Sequence, residues 1–298
     1  MFNIKSLISY PLPLTSCIMT GLVLEGGAMR GLFSAGVMDV WMENGIEFDG
    51  VIGVSAGAAF GCNYKSRQPG RAIRYNKRFS KDPRYSGLRS LLKSGDIFNA
   101  QFAYHEVPTK YDIFDYEAFE SNPMPFYIVC TDVETGEAVY KRLDKADADC
   151  LDWIRASASM PVVSRVVELE GKKLLDGGIT DSIPLAAMER LGFGRNVVIL
   201  TQPEGFVKQP TRFMPLMRWS LRKYPKTVEA LAQRHVMYNE QLAYVAQRER
   251  EGAIFVIRPD AALEIGHIEH DAERMQRIYD IGRKKGEETV EKVRIFKN

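Results

Sequence analysis

Residues 49–64, Asp49-Gly50-Val51-Ile52-Gly53-Val54-Ser55-Ala56-Gly57-Ala58-Ala59-Phe60-Gly61-Cys62-Asn63-Tyr64, read as an apolar strand passing directly into a helix of small residues, with one serine at the corner. The run from Asp49 to Val54 has strand length and strand composition, and Ala56 to Tyr64 suits a tightly packed helix. The corner is a Gly-x-Ser-x-Gly, Gly53-Val54-Ser55-Ala56-Gly57. A serine on so sharp a turn needs glycine-sized neighbours two positions to either side, because larger side chains would collide. The helix N-terminus then favours negative charge developing near Ser55. A tight turn with a buried serine is the plainer alternative.

The same pattern stands upstream. Gly21-Leu22-Val23-Leu24 is a short apolar strand, followed by the glycine-rich turn Glu25-Gly26-Gly27-Ala28-Met29-Arg30-Gly31. Leu32, Ala35, Gly36, Val37, Val40 and Trp41 then recur at helical spacing until Asn44-Gly45, a helix stop. Strand, turn, helix, repeated, predicts a parallel sheet wrapped by helices, with right-handed crossovers. Glycines let backbone N–H groups face an anion such as a phosphate or an oxyanion. Gly26, Gly27 and Gly31 do not fit the dinucleotide fingerprint Gly-x-Gly-x-x-Gly, and no Lys-Ser/Thr pair follows to make a P-loop.

Downstream, residues 65–118 are polar, basic and broken by Pro69, Pro83 and Pro108, which predicts shorter helices and loops. Phe126 to Thr131 and Glu137 to Leu143 read as strands joined by a hairpin turn at Glu134-Thr135-Gly136. Asp149 to Ala158 reads as a helix ended before Pro161. Lys173-Leu174-Leu175 leads into Asp176-Gly177-Gly178 at a strand end, where sites assemble on α/β sheets. Asp176 there could take a proton from a neighbouring hydroxyl, or could simply close an Asp-Gly turn. Asn196 to Thr201 is a buried parallel strand. Helical patterns follow around 213–250 and 271–291, with a strand at Ala253 to Ile257 between them.

The glycine turn, the serine elbow and the aspartate turn, in that order and from about Thr20 to about Thr201, together resemble the patatin-like phospholipase family of bacteria. The resemblance implies a three-layer α/β/α fold on a mainly parallel central sheet, with C-terminal helices added. It implies a serine lipid acyl hydrolase with a Ser–Asp dyad, in which Ser55 is the nucleophile, Asp176 its base, and the backbone of Gly26, Gly27 and Ala28 the oxyanion hole. Arg30, Gly31, Gly53, Gly57, Gly177 and Gly178 support these motifs, Arg30 by ordering the loop or meeting a phosphate headgroup. The chain departs from the family at Glu25, where aspartate or glycine is commoner, at Ala28 in place of a third glycine, and at Ser182 in place of an asparagine.

A Ser-Asp-His esterase is the rival, since Ser55, Asp176 and then His267 or His270 follow the α/β-hydrolase order. His267-Ile268-Glu269-His270 also suggests a metal pair, but no third ligand is evident, so neither metal nor cofactor is expected. A catalytically idle lipid- or protein-binding member is the alternative from another class. Phe206 to Tyr224 interleaves Phe213, Met214, Leu216, Met217 and Trp219 with Lys208, Arg212, Arg218, Arg222 and Lys223. That mixture suits peripheral contact with an anionic lipid surface, or a helix packing its apolar face on the domain.

Composition bounds these readings. Among 298 residues, 40 Lys and Arg against 38 Asp and Glu leave a net charge of +2, and 45% are apolar. Such a chain is globular rather than disordered, and bulk charge lends a nucleic-acid partner no support. Cys17, Cys62, Cys130 and Cys150 show no paired spacing, which favours a reducing compartment and a cytoplasmic protein peripheral to the membrane. Residues 1–19 are expected to be a leader or an early-placed start, and 20–298 one catalytic domain with a motif core over 20–201 and a helical extension over 202–298. Leu14-Thr15-Ser16-Cys17 resembles a lipoprotein box. Lipidation is disfavoured because Ile18, Met19 and Thr20 alone would tether the anchor to the first strand, and Pro11 and Pro13 break the signal helix.

Overall fold

The computed structural model describes residues 18–297, so the Cys17 box lies outside it. In chain order, β1 (Thr20–Leu24) leads through the glycine turn to α1 (Gly31–Glu43), and β2 (Gly50–Val54) to α2 (Ala56–Lys65). The polar stretch forms α3 (Arg71–Phe79), α4 (Leu88–Ser94), a helix over Gln101–Tyr111 wound wider than an α-helix, and α5 (Tyr116–Ser121). Next come the hairpin β3 (Phe126–Asp132) and β4 (Glu137–Leu143), α6 (Ala148–Ser157), β5 (Val167–Leu169), β6 (Lys172–Asp176), α7 (Leu185–Arg190) and β7 (Arg195–Ile199). The C-terminal third supplies α8 (Met214–Ser220), α9 (Pro225–Arg250), β8 (Ile254–Ile257) and α10 (Ala272–Lys297).

All eight strands among the described residues join one sheet. β3, β2, β1, β7 and β8 lie side by side and parallel, as their continuous apolar runs require of strands covered on both faces. Successive side chains of β1 therefore enter different cores. Leu22 and Leu24 pack into the larger one with α1, α2, α6 and α10 residues, and Val23 into the smaller one with Met188 of α7 and Tyr238 of α9. The result is an α/β/α sandwich, as the motif order implied.

The sheet turns antiparallel at β3, and this positions the site. β4 pairs along the whole of one β3 edge, from Phe126↔Leu143 to Asp132↔Glu137. A strand has only two edges, so β2 and β6 must share the other. β2 takes its first half, ending at Val54↔Val129, and β6 takes its second half, ending at Cys130↔Asp176. β2 runs parallel to β3 and β6 antiparallel, so their C-terminal ends meet head-on at adjacent residues of β3. Ser55 follows one end and Asp176 closes the other.

The C-terminal third is built into this frame. β8 extends the sheet beside β7. α10 lies so close against α1 that a Cβ on Gly282 would stand 2.0 Å from the Phe33 carbonyl oxygen, and one on Gly36 2.2 Å from that of Tyr279. The Tyr279 hydroxyl donates to the buried Asp39 carboxylate across the same contact at 2.6 Å. Backbone on both sides cannot give way to a methyl group. Gly282→Ala should therefore lower unfolding free energy by about 1–3 kcal/mol, the usual cost of overpacking a core. An unchanged denaturant midpoint would contradict this close approach.

Candidate active site

Ser55 holds φ 54° and ψ −118°, a backbone conformation that side chains other than glycine avoid, at a cost on the order of 1–3 kcal/mol. The surroundings enforce it. The Ser55 carbonyl accepts the Ala58 and Ala59 N–H groups at 3.0 and 2.9 Å, opening α2. Its own N–H donates to Ser157 Oγ at 3.0 Å, and the Ser157 hydroxyl donates to the Val129 carbonyl at 2.6 Å. Ser157 thus stands in for the strand residue that β2 no longer supplies. A Cβ on Gly53 would lie 2.5 Å from the Gly57 carbonyl oxygen, and one on Gly57 2.5 Å from that of Leu24, which accounts for both glycines of the elbow.

Asp176 faces the elbow. Its Oδ2 accepts the Ser55 hydroxyl at 2.6 Å, and its Oδ1 accepts the Gly178 N–H at 2.7 Å. The main chain of Asp176 is fixed as well, its N–H donating to the Ser159 carbonyl at 2.8 Å and its carbonyl accepting Thr131 Oγ1–H at 2.8 Å. Gly177 turns the chain away where a Cβ would stand 2.1 Å from the Val129 carbonyl oxygen. Burial pushes the Asp176 carboxyl above the usual carboxylate range, opposed by the Ser55 hydroxyl, the Arg234 charge and the Gly178 N–H. A buried carboxyl of raised pKa is a better proton acceptor for a hydroxyl than a solvated one.

Among the described residues, no histidine hydrogen-bonds Ser55 or Asp176. His270 Nδ1 lies 2.6 Å from the Ser80 carbonyl oxygen, and His267 lines the cleft in front of Ser55. The serine meets the aspartate without an imidazole between them. No group of three His, Cys, Asp or Glu among the described residues is arranged to hold a metal ion.

The glycine turn lies against the elbow, with the Cβ position of Gly26 3.2 Å from Ser55 Cβ and that of Gly31 2.7 Å from Ala56 Cβ. The Gly26 N–H donates to the Ser182 carbonyl at 3.3 Å. The Gly27 and Ala28 amides have no acceptor among the described residues, and Ala28 is held at φ 48°. Glu25 fixes the turn from behind. Fully buried, it accepts the Thr201 N–H on one oxygen and the Tyr238 hydroxyl of α9 on the other. Burial raises its pKa against the pull of Thr201, Tyr238 and Arg30.

Ser182 joins the two halves of the site, since its hydroxyl donates to the Gly178 carbonyl at 2.7 Å and its N–H to Gln241 Oε1 of α9 at 3.1 Å. Arg234, also on α9, donates Nε–H to the same Gly178 carbonyl. Arg30 donates its main-chain N–H to the Gly27 carbonyl at 3.1 Å, and its side-chain Nε is buried with no partner among the described residues. Ser157, Arg234 and Tyr238 carry no motif and no sequence signal marks them, whereas Ser182 stands where the family pattern has an asparagine.

The cleft running from Ser55 is walled by Met29, Phe60, Tyr75, Phe98, Tyr104 and Ile154, a surface suited to an acyl chain. A serine hydroxyl hydrogen-bonded to a buried carboxylate, two amides without acceptors among the described residues and an apolar cleft are parts that acyl transfer can use.

A family model described as patatin-like phospholipase matches residues 22–188, and a second, described as a domain of unknown function (DUF6363), matches residues 224–298. The chain is 29% identical over 273 residues to the uncharacterized protein YjjU of Escherichia coli, covering 88% of this chain and 74% of that one. It is 28% identical over 191 residues to an uncharacterized NTE family protein of Mycobacterium bovis, covering 64% and 51%. It is 26% identical over 297 residues to the lysophospholipase NTE1 of Coccidioides immitis, covering 92% of this chain and 18% of the fungal protein. The chain thus spans about three quarters of YjjU, half of the mycobacterial protein and under a fifth of the fungal one. With one family model covering more than half of its length, the chain belongs to the patatin-like phospholipase family.

Proposed function

We propose that the protein hydrolyses carboxylic esters of phospholipids or lysophospholipids through Ser55 and Asp176. The observation that carries the reading is the hydrogen bond of 2.6 Å from the Ser55 hydroxyl to Asp176 at the head of an apolar cleft. Ser55 Oγ attacks the ester carbonyl as its proton passes to Asp176 Oδ2, and the Gly27 and Ala28 N–H groups hold the oxyanion. Gly26, whose N–H is taken up by Ser182, holds the loop in place beside them. Collapse of the tetrahedral intermediate expels the alcohol, which leaves with the proton from Asp176. Water then attacks the acyl-serine, gives its proton to Asp176, and the proton returns to Ser55 as the fatty acid departs.

The lysophospholipase name of the fungal relative favours a lysophospholipid among these substrates. The direct serine–aspartate bond supports a working enzyme over an idle binding member, because a binding protein gains nothing from a strained serine aimed at a buried carboxylate. Ser55→Ala and Asp176→Asn should each lower ester hydrolysis by about two orders of magnitude or more, whereas His267→Ala should leave most of it. Full activity in either of the first two, or collapse in the third, would overturn the dyad.

Membrane approach belongs to the same reading. Met214 and Met217 of α8 turn inward beside Leu221 and Leu231, while Phe213, Leu216 and Trp219 are 60%, 46% and 68% exposed. Arg222 sits 5.6 Å from the Trp219 ring centroid, placing a cation beside the outward aromatic. This face suits a cytoplasmic protein that meets an anionic leaflet, with rings at the interface and cations near phosphates. Charge reversal at Arg218 and Arg222 should cut activity on anionic vesicles by about tenfold while sparing a soluble short-chain ester. An equal loss on both substrates would contradict membrane docking here.

A further inference from the structure

The helix α4 is built inside out. Its sequence, Leu88-Arg89-Ser90-Leu91-Leu92-Lys93-Ser94, places Ser90 and Ser94 one helical turn apart on one side, and Leu88 and Leu92 one turn apart on another. The serines turn inward. Ser90 is buried, its hydroxyl donating to the Asp96 carbonyl at 2.7 Å, and the Ser94 hydroxyl donates to the Ser90 carbonyl at 2.8 Å while accepting the Asp96 N–H at 3.3 Å. Leu88 and Leu92 are left outward, 69% and 78% exposed, and Leu92 is the most exposed large apolar side chain among the described residues. A helix lying on a globular domain ordinarily turns its apolar stripe to the core.

That orientation is fixed, because the excursion carrying α4 is pinned at its base. Ser86 and Phe98 bridge as antiparallel strands do. The Gly87 N–H donates to the Ile97 carbonyl at 2.9 Å, the Asn99 N–H to the Tyr85 carbonyl at 3.0 Å, and the Ile97 N–H to the Val163 carbonyl at 2.7 Å. Asp96 Oδ1 accepts the Arg165 N–H at 2.7 Å. Gly87 and Gly95, at φ 123° and 79°, bracket the helix in conformations that favour glycine. Tyr85, Asp96 and Phe98 line the cleft that holds Ser55, so α4 stands on the cleft wall.

The charge around the leucines has one sign. From Lys81 to Asp96 the chain holds four cations and two carboxylates, and of the carboxylates Asp82 is taken by Arg84 at 2.7 Å and Asp96 is buried. Arg89 and Lys93 are exposed, one turn apart, and have no carboxylate within 4.0 Å among the described residues. A second copy of the chain set on this face about a twofold axis would bring cations against cations. An anionic leaflet meets both features, taking leucines among its acyl chains and cations at its phosphates. We propose that α4 is a lipid-contact element, whose Leu88 and Leu92 enter an anionic membrane surface beside the cleft wall. It gives the cleft a membrane contact of its own, separate from α8. The inference rests on the proposed lipid chemistry in choosing a membrane over an acidic protein, while the contact itself needs no turnover.

Cosedimentation of Ser55→Ala with vesicles of phosphatidylglycerol and phosphatidylcholine in equal parts measures the contact without hydrolysis. Adding Leu88→Gln and Leu92→Gln together should lower the partition coefficient about tenfold or more. Adding Arg89→Gln and Lys93→Gln instead should lower it on these vesicles and leave binding to pure phosphatidylcholine as it was. All four side chains are exposed, so the thermal melts should stay with that of Ser55→Ala. Unchanged binding to the mixed vesicles in the leucine variant would overturn the proposal, as would no binding by Ser55→Ala itself. A dimer seen by light scattering without vesicles and lost in the leucine variant, with vesicle binding unchanged, would assign the face to a second copy. Leucine-dependent vesicle binding by a wild-type protein that hydrolyses no lysophospholipid would count against the Ser55 chemistry and leave the α4 contact standing.

Discussion

The site depends on two strands running into each other along one edge of a third. β4 claims one side of β3, and the other side is divided between β2 and β6, arriving from opposite directions. Each must leave the sheet at the meeting point, and each leaves through a turn that carries one member of the Ser55–Asp176 pair. Ser55 and Asp176 are 121 positions apart in sequence yet share a hydrogen bond because Val129 and Cys130 are neighbours on β3. The Val129 carbonyl orphaned where β2 stops is taken by Ser157, whose oxygen in turn accepts the Ser55 N–H, so ladder and elbow are closed by one side chain.

The strain at Ser55 and the burial of two carboxylates are both unfavourable, and packing around the dyad offsets them. α9 does much of this, with Tyr238 on Glu25, Gln241 on Ser182 and Arg234 on Gly178. α10 holds α1, which follows the glycine turn. Residues beyond the motif core therefore fix the loop amides and tune Asp176 through the Arg234 charge. Cutting the chain after β7 would remove these contacts.

Much of this was legible in the amino-acid sequence, because sharp turns leave local marks. The glycines around Ser55 and after Asp176 are required by backbone approaches of 2.1 to 2.5 Å, and such constraints hold wherever the turn occurs. Buried parallel strands also mark themselves as unbroken apolar runs. Strand direction leaves no such mark, so the antiparallel entry of β6, and the short β5 beside it, were not foreseen. Ser157 is an ordinary serine whose importance comes from where the sheet ends, and Ser182, marked only as a replaced asparagine, gains its role from the Gly178 carbonyl and Gln241. Tyr238, Gln241 and Arg234 sit on a helix whose pattern shows only that it is a helix. Glu25, a departure from the family pattern, makes sense once Thr201 and Tyr238 are seen to hold it.

The central claim is that Asp176 alone activates Ser55. Covalent labelling of the wild-type protein and of Asp176→Asn by a fluorophosphonate, followed across pH with the modified residue mapped, tests it directly. Asp176 must be ionised to accept the proton and its pKa is raised, so labelling at Ser55 should fall away as pH drops through a value above the ordinary carboxylate range. It should be nearly absent from Asp176→Asn at every pH. Labelling of Ser55 in Asp176→Asn at the wild-type rate would show that another base serves the serine.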